Sequence, residues 1–168
     1  MTTDTALHPA AAKAARAGAP RRVLFVCTGN TCRSPMAAAL YNDQYKETEG
    51  AALATSAGLY ATPGAPISNE AVEALREAGI APIAGYDYTA HRARPIRREM
   101  MEEADEVVAI SGSHAMELTL RFPEFAGKIR TLPMDISDPY GQGIEAYRLC
   151  LMQLRYCLQL YGANGGEE

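Results

Sequence analysis

The 168-residue sequence predicts an α/β fold: one domain, built on a four-stranded parallel twisted sheet with helices on both faces. Three observations predict it. Short apolar, β-branched runs alternate with segments of helical periodicity along the chain. The first run, Val23-Leu24-Phe25-Val26, passes through a tight loop directly into a helix start, as right-handed crossovers of parallel sheets require. No internal repeat or linker divides the chain, which is long enough for one substantial core.

The elements follow in order. Residues 1–20 are rich in Ala and polar residues, lack an apolar signal-like stretch, and read as a flexible extension. The domain then spans 21–162, and the glycine-rich 163–168 reads as a flexible end. A strand buried on both faces is predicted near 22–27. A helix over 34–47 follows, with Ser34 as N-cap and Pro35 in the first helical position, where a missing N–H costs nothing. A second strand is predicted near 51–56. The helix at 68–78 has Ser68 or Asn69 at its start, Val72 and Leu75 facing the core, and Gly79 at its end. A helix near 95–103 precedes the strand Asp105-Glu106-Val107-Val108-Ala109-Ile110. A helix at 113–121, a strand at 128–132 and a helix at 143–160 complete the order. In the last, Ile144, Tyr147, Leu151, Leu154, Leu158 and Tyr161 recur at three- and four-residue steps. Cys150 and Cys157 fall on that apolar face and read as core.

Composition excludes several classes. Net charge is −4 and basic residues are scattered, so nothing suggests nucleic acid. The densest basic group, Arg92, Arg94, Arg97 and Arg98, reads as a solvated helix face. No apolar run is long enough to span a membrane. Four cysteines in a chain of this length do not make a disulfide framework. Two thiols without paired histidines offer no tetrahedral metal set. No metal or organic cofactor is implied.

The chemistry concentrates in Cys27-Thr28-Gly29-Asn30-Thr31-Cys32-Arg33-Ser34-Pro35, between the first strand and the first helix. Backbone N–H groups there can converge on one point, and Gly29 and Asn30 tolerate the left-handed conformations that an anion nest needs. The helix dipole adds positive potential. Arg33 supplies a planar fork for two phosphate oxygens. The same field is expected to lower the pKa of Cys27, and Ser34 Oγ can donate to the sulfur. Cys27 would attack phosphorus in line, forming a phosphocysteine, with the loop N–H groups and Arg33 holding the equatorial oxygens. Glycine-rich nucleotide fingerprints are absent from this junction. The leaving group needs a proton, and the best candidate is Asp138, in Asp135-Ile136-Ser137-Asp138-Pro139-Tyr140-Gly141. Pro139 stiffens that loop, Gly141 permits a turn, and Tyr140 walls the pocket. Asp135 is the weaker rival.

These two segments resemble the low-molecular-weight protein tyrosine phosphatase family, with a Cys-x-Gly-Asn-x-Cys-Arg-Ser loop near one end and an Asp-Pro-aromatic loop near the other. The likeness covers about Arg22 to Leu160 and extends to Thr55-Ser56-Ala57-Gly58-Leu59 and His91-Arg92-Ala93-Arg94. It implies Cys27 as nucleophile, Arg33 as phosphate binder and Asp138 as general acid. It also implies that Asn30, Ser34, Ser56 and His91 form a network holding the loop, and that Cys27 and Cys32 pair in a reversible disulfide, although Cys32 as a simple wall residue stands equally open. Phosphorylated proteins are the implied partners, and a reduced cytoplasm the implied setting. Thr31 resembles the branch acting on phosphoarginine in proteins, whereas tyrosine-directed members carry Ile or Leu there. Thr31 Oγ can accept from a guanidinium or position water. The alternatives are a protein-tyrosine phosphatase and, behind it, an arsenate reductase or a non-catalytic phosphate-binding module. The sequence leaves the oligomeric state open.

Overall fold

The computed structural model describes residues 22–47 and 53–164. The expected extension at 1–20 lies outside them, as do residues 165–168. Four parallel strands form one sheet in the order β2-β1-β3-β4, where β1 is Val23–Cys27, β2 Thr55–Gly58, β3 Glu106–Ala109 and β4 Ile129–Thr131. Five α-helices connect or flank them: α1 (Arg33–Gln44), α2 (Asn69–Glu77), α3 (Arg98–Glu103), α4 (Gly112–Arg121) and α5 (Ile144–Asn164).

Strand periodicity places the site. Val23, Phe25 and Cys27 face a core built with α1, α2 and α5. Leu24 and Val26 face the opposite core, built with Met100 and Met101 of α3 and Leu118 of α4. Every residue of β1 is buried, as the apolar run predicts. The chain runs from β1 to β2 on one side and returns to β3 on the other. The end of β1 therefore lies at the point where such sheets open a ligand crevice. Cys150 and Cys157 are buried in the α5 core, as the helical stripe predicts.

Some boundaries moved, for local reasons. β2 begins at Thr55 because the Asn42 side chain holds both backbone groups of Ala54 in place of a strand partner, accepting from its N–H at 2.6 Å and donating to its C=O at 3.2 Å. It extends to Gly58, which pairs with Cys27. α3 starts only at Arg98, because Pro95 bridges Gly58 and the Ile96 N–H donates to the Gly58 carbonyl, keeping this stretch extended. The basic group is consequently not a helix face. Only Arg98 lies in a helix, and Arg94 is half-buried with Nε on the Ser56 carbonyl at 2.8 Å. α2 ends as predicted. Gly79 adopts φ +81°, with the Gly79 N–H on the Arg76 carbonyl and the Ile80 N–H on the Leu75 carbonyl.

Candidate active site

The loop after β1 closes around its own N–H groups because its carbonyls are held from outside. The Thr28 carbonyl accepts from the Tyr60 N–H at 2.9 Å, that of Asn30 from His91 Nε2 at 2.7 Å, and that of Thr31 from the Ser68 N–H at 3.0 Å. In a trans peptide the following N–H points the opposite way, so those of Gly29, Thr31 and Cys32 turn inward. Asn30 takes the left-handed conformation, φ 59°. Gly29 does not, so one residue alone supplies the reversal expected of both.

α1 begins at Arg33, not Ser34, with Cys32 in the N-cap position and no side-chain cap. Pro35 therefore occupies the third helical position, where its missing N–H still costs no helical bond. The Ser34 hydroxyl has a different partner: its Oγ is 2.9 Å from Cys27 Sγ. Ser68 behaves likewise. It precedes α2 without capping it, and its Oγ is 3.1 Å from Cys32 Sγ, beside the Tyr147 hydroxyl at 3.3 Å from the same sulfur. Both serines that sequence chemistry assigns to helix caps are drawn to the two loop sulfurs.

The expected supporting network is assembled. Asn30 Nδ2 donates to Ser34 Oγ at 2.8 Å and to Ser56 Oγ at 3.0 Å, while Asn30 Oδ1 accepts from the Arg94 N–H at 3.0 Å. Because Ser34 Oγ accepts from Asn30, its own proton is free for a thiolate. Burial lowers the His91 pKa despite the Asn30 carbonyl, so His91 is a neutral donor.

Cys27 is only 2 % exposed, and burial pushes its thiol above the ordinary value. The Ser34 hydroxyl, the Ser34 N–H, the Arg33 charge and the Asn30 N–H pull the other way without outweighing burial. This corrects the expected depression: a strand-end sulfur inside the core is too well desolvated for the loop's field to win.

Arg33 is buried, with Nη1 on the Ile136 carbonyl at 3.0 Å and Nη2 3.5 Å from Asp138 Oδ2. Asp138 is half-exposed, and its Oδ1 accepts from the Tyr140 N–H at 3.1 Å. Gly141 makes the turn with φ +77°. The rival carboxylate is committed elsewhere, since Asp135 Oδ1 accepts from the Gly112 N–H at the start of α4. A cleft of about 260 Å³ joins Cys27, the loop from Thr28 to Arg33, Asp138 and Tyr140. A larger groove beside α2, lined by Pro66, Val72 and Arg76, contains none of these residues. Among the described residues no group of His, Cys, Asp or Glu could hold a metal.

Sequence reasoning missed Tyr60, Thr62 and Ala65 on the cleft wall, and His114 behind it. Tyr60 is largely exposed, with the Arg121 guanidinium 5.0 Å over its ring. The available signal was position: Tyr60 follows the carboxyl end of β2 and His114 that of β3, where parallel sheets place ligand-binding side chains.

Comparisons with known proteins agree with this geometry. The pattern of the family described as low molecular weight phosphotyrosine protein phosphatase matches residues 22–163. The chain is 41 % identical over 136 residues to a protein-arginine-phosphatase of Geobacillus stearothermophilus, covering 77 % of this chain and 85 % of that one. It superposes on a low molecular weight protein tyrosine phosphatase from T. tengcongensis with TM-score 0.77 and 39 % identity, over 86 % of this chain and 99 % of that one. A cysteine-to-serine mutant of the arginine phosphatase YwlE, with a phosphorylated active-site serine, superposes with TM-score 0.77 and 32 % identity, over 88 % of this chain and 97 % of that one.

Proposed function

Since the chain belongs to the low molecular weight phosphotyrosine protein phosphatase family, a family of hydrolases acting on phosphoproteins, we propose that it is a protein-arginine phosphatase working through a phosphocysteine. Cys27 passes its thiol proton to a phosphoryl oxygen of the bound substrate and Sγ attacks phosphorus in line, while the inward N–H groups and the Arg33 fork hold the equatorial oxygens. Ser34 Oγ accepts from the resting thiol at 2.9 Å, and once that proton has left, its own hydroxyl proton can turn to the sulfur and stabilise charge on it as it attacks and later leaves. Asp138, beside Arg33 and half-exposed at the cleft mouth, protonates the departing nitrogen or oxygen. It then takes a proton from the water that hydrolyses the phosphocysteine. The phosphorylated serine of the YwlE mutant supports a covalent intermediate at the Cys27 position. No step requires a metal or an organic cofactor. No described helix is long and apolar enough to cross a membrane, and the thiol chemistry fits a reducing cytoplasm.

Thr31 carries the choice of substrate. It is half-buried in the cleft wall, with its backbone fixed by Ser68 and its hydroxyl 3.6 Å from Cys32 Sγ. A phosphoarginine guanidinium brings N–H donors that a Thr hydroxyl can accept, whereas Ile or Leu offers only apolar contact. The Geobacillus relative named for phosphoarginine supports this choice. Phosphotyrosine is the second reading, favoured by the exposed Tyr60 and Tyr140 rings flanking the cleft. The arsenate-reductase alternative is disfavoured: a thiol relay needs mobile cysteines, and burial pushes Cys150 up to about 12.

The test compares phosphoarginine and phosphotyrosine peptides with wild type and Thr31→Ile. Wild type should prefer phosphoarginine, and the substitution should move the ratio of kcat/KM values towards phosphotyrosine. A preference for phosphotyrosine in both proteins would reduce Thr31 to pocket wall and establish the second reading.

A further inference from the structure

The network of Asn30, Ser34, Ser56 and His91 supports one side of the loop. A second, unexpected support stands on the other side, at the junction of β3 and α4. His114 is 5 % exposed, with Nε2 2.9 Å from Thr28 Oγ1 and Nδ1 2.8 Å from Ser111 Oγ. Thr28 Oγ1 is also 3.5 Å from Arg33 Nη2. Asp135 from the acid loop caps the same helix start, and Ile136 of that loop takes the other Arg33 nitrogen.

One assignment of protons satisfies every member of this chain. A guanidinium only donates, so Thr28 Oγ1 accepts from Arg33. The Thr28 hydroxyl keeps one proton to give and a second lone pair, and giving that proton to His114 Nε2, the other described side-chain partner of the oxygen, satisfies both atoms. An Nε2 that accepts leaves the imidazole proton on Nδ1, where Ser111 Oγ accepts it. Building on the function proposed above, we propose that His114 is a positioning residue for the phosphate-binding fork: its Nε2 fixes the Thr28 hydroxyl, and Thr28 in turn sets the plane of Arg33. The charged groups around the ring are Arg33 from α1, Glu117 from its own helix, and Asp135 and Asp138 from the acid loop. Burial, and then Arg33, hold the His114 pKa down to about 4, so the ring is neutral and Nε2 remains an acceptor at neutral pH.

Arg33 is thus held by Ile136 at Nη1 and by Thr28 and the half-exposed Asp138 at Nη2, and Thr28 is the partner that the buried His114 fixes. Loss of the Thr28 contact lets the fork rotate, weakening phosphate in both ground and transition states. His114→Leu removes the acceptor. His114→Gln keeps a neutral acceptor at similar reach.

The experiment measures kcat, KM and inorganic phosphate inhibition with an aryl phosphate at pH 7 for wild type and both variants, with nitrogen NMR of the imidazole in wild type. His114→Leu should lower kcat/KM about tenfold and raise KM and the phosphate inhibition constant together, as loss of a charge-assisted contact predicts. His114→Gln should restore most of that loss. The wild-type ring should carry its proton on Nδ1. Equal losses in both variants that track thermal stability would make His114 a packing residue and overturn the proposal, as would a proton on Nε2. If instead wild type itself, or Cys27→Ser, behaved at odds with a cysteine-dependent phosphatase, the underlying function would be what fails.

Discussion

Replacing Gly58 with Ala should damage the loop more than the fold. Gly58 ends β2 opposite Cys27 with an ordinary negative φ, so an added methyl brings no backbone strain of its own. Its effect is steric. The new Cβ would lie 2.6 Å from the Thr28 carbonyl oxygen and 3.0 Å from both Asn30 Cβ and Ala61 Cβ, against ordinary contacts that begin near 3.4 Å. The first obstacle is loop backbone and cannot swing aside as a side-chain tip does. The loop must therefore retreat by most of an ångström. Overpacking of this kind costs about 1–3 kcal/mol, which for a domain of this size lowers Tm by roughly 3–10 °C. A shift approaching 1 Å in a catalytic loop lowers rate by tens of times and up to about 10²-fold. The assay is thermal unfolding alongside kcat/KM for an aryl phosphate, at a temperature where the variant is fully folded. Unchanged kinetics with a lowered Tm would show that β2 gives way instead of the loop. Unchanged values of both would refute the steric argument.

Asp138→Asn should slow turnover by about 10²-fold or more for poor leaving groups and far less for activated aryl phosphates; equal losses across leaving groups would remove Asp138 from the role of acid. Ser34→Ala should raise the Cys27 pKa further, because the Ser34 hydroxyl is the largest influence holding it down; iodoacetamide alkylation should shift to higher pH, and an unshifted profile would exclude that bond. His114 should also govern acid stability. Its folded pKa of about 4 lies below the ordinary 6.5, so the unfolded chain takes the proton first, and stability held above pH 6.5 is lost as pH falls towards 4. Between pH 7.5 and 5 wild type should lose about 2 kcal/mol more than His114→Gln in urea unfolding. Parallel pH curves for the two proteins would contradict the neutral buried ring.

The sequence by itself determined the sheet, its four strands and the position of the cysteine loop, because these follow from local periodicity. An unbroken apolar run such as Val23–Val26 must be buried on both faces. The order of Cys27, Arg33 and Ser34 carries its chemistry whatever surrounds it, and Asp138 was legible through its rigid Pro-Tyr-Gly context. What was not legible depended on partners distant in the chain. Ser34 and Ser68 look like helix caps locally, but each hydroxyl has a sulfur within reach, and that bond is visible only when the loop is folded. Asp135 was the weaker rival to Asp138 by its neighbours alone, but that its carboxylate is committed to the start of α4 shows only in the fold. The sign of the Cys27 pKa shift was misjudged because local charges can be read from sequence, whereas desolvation by a core assembled from α1, α2 and α5 cannot. His114 is 86 residues from Thr28 and was invisible for the same reason. Short-range propensity sets elements and motifs, but which donor meets which acceptor, and how dry each becomes, is decided only when the parallel sheet brings its strand ends together.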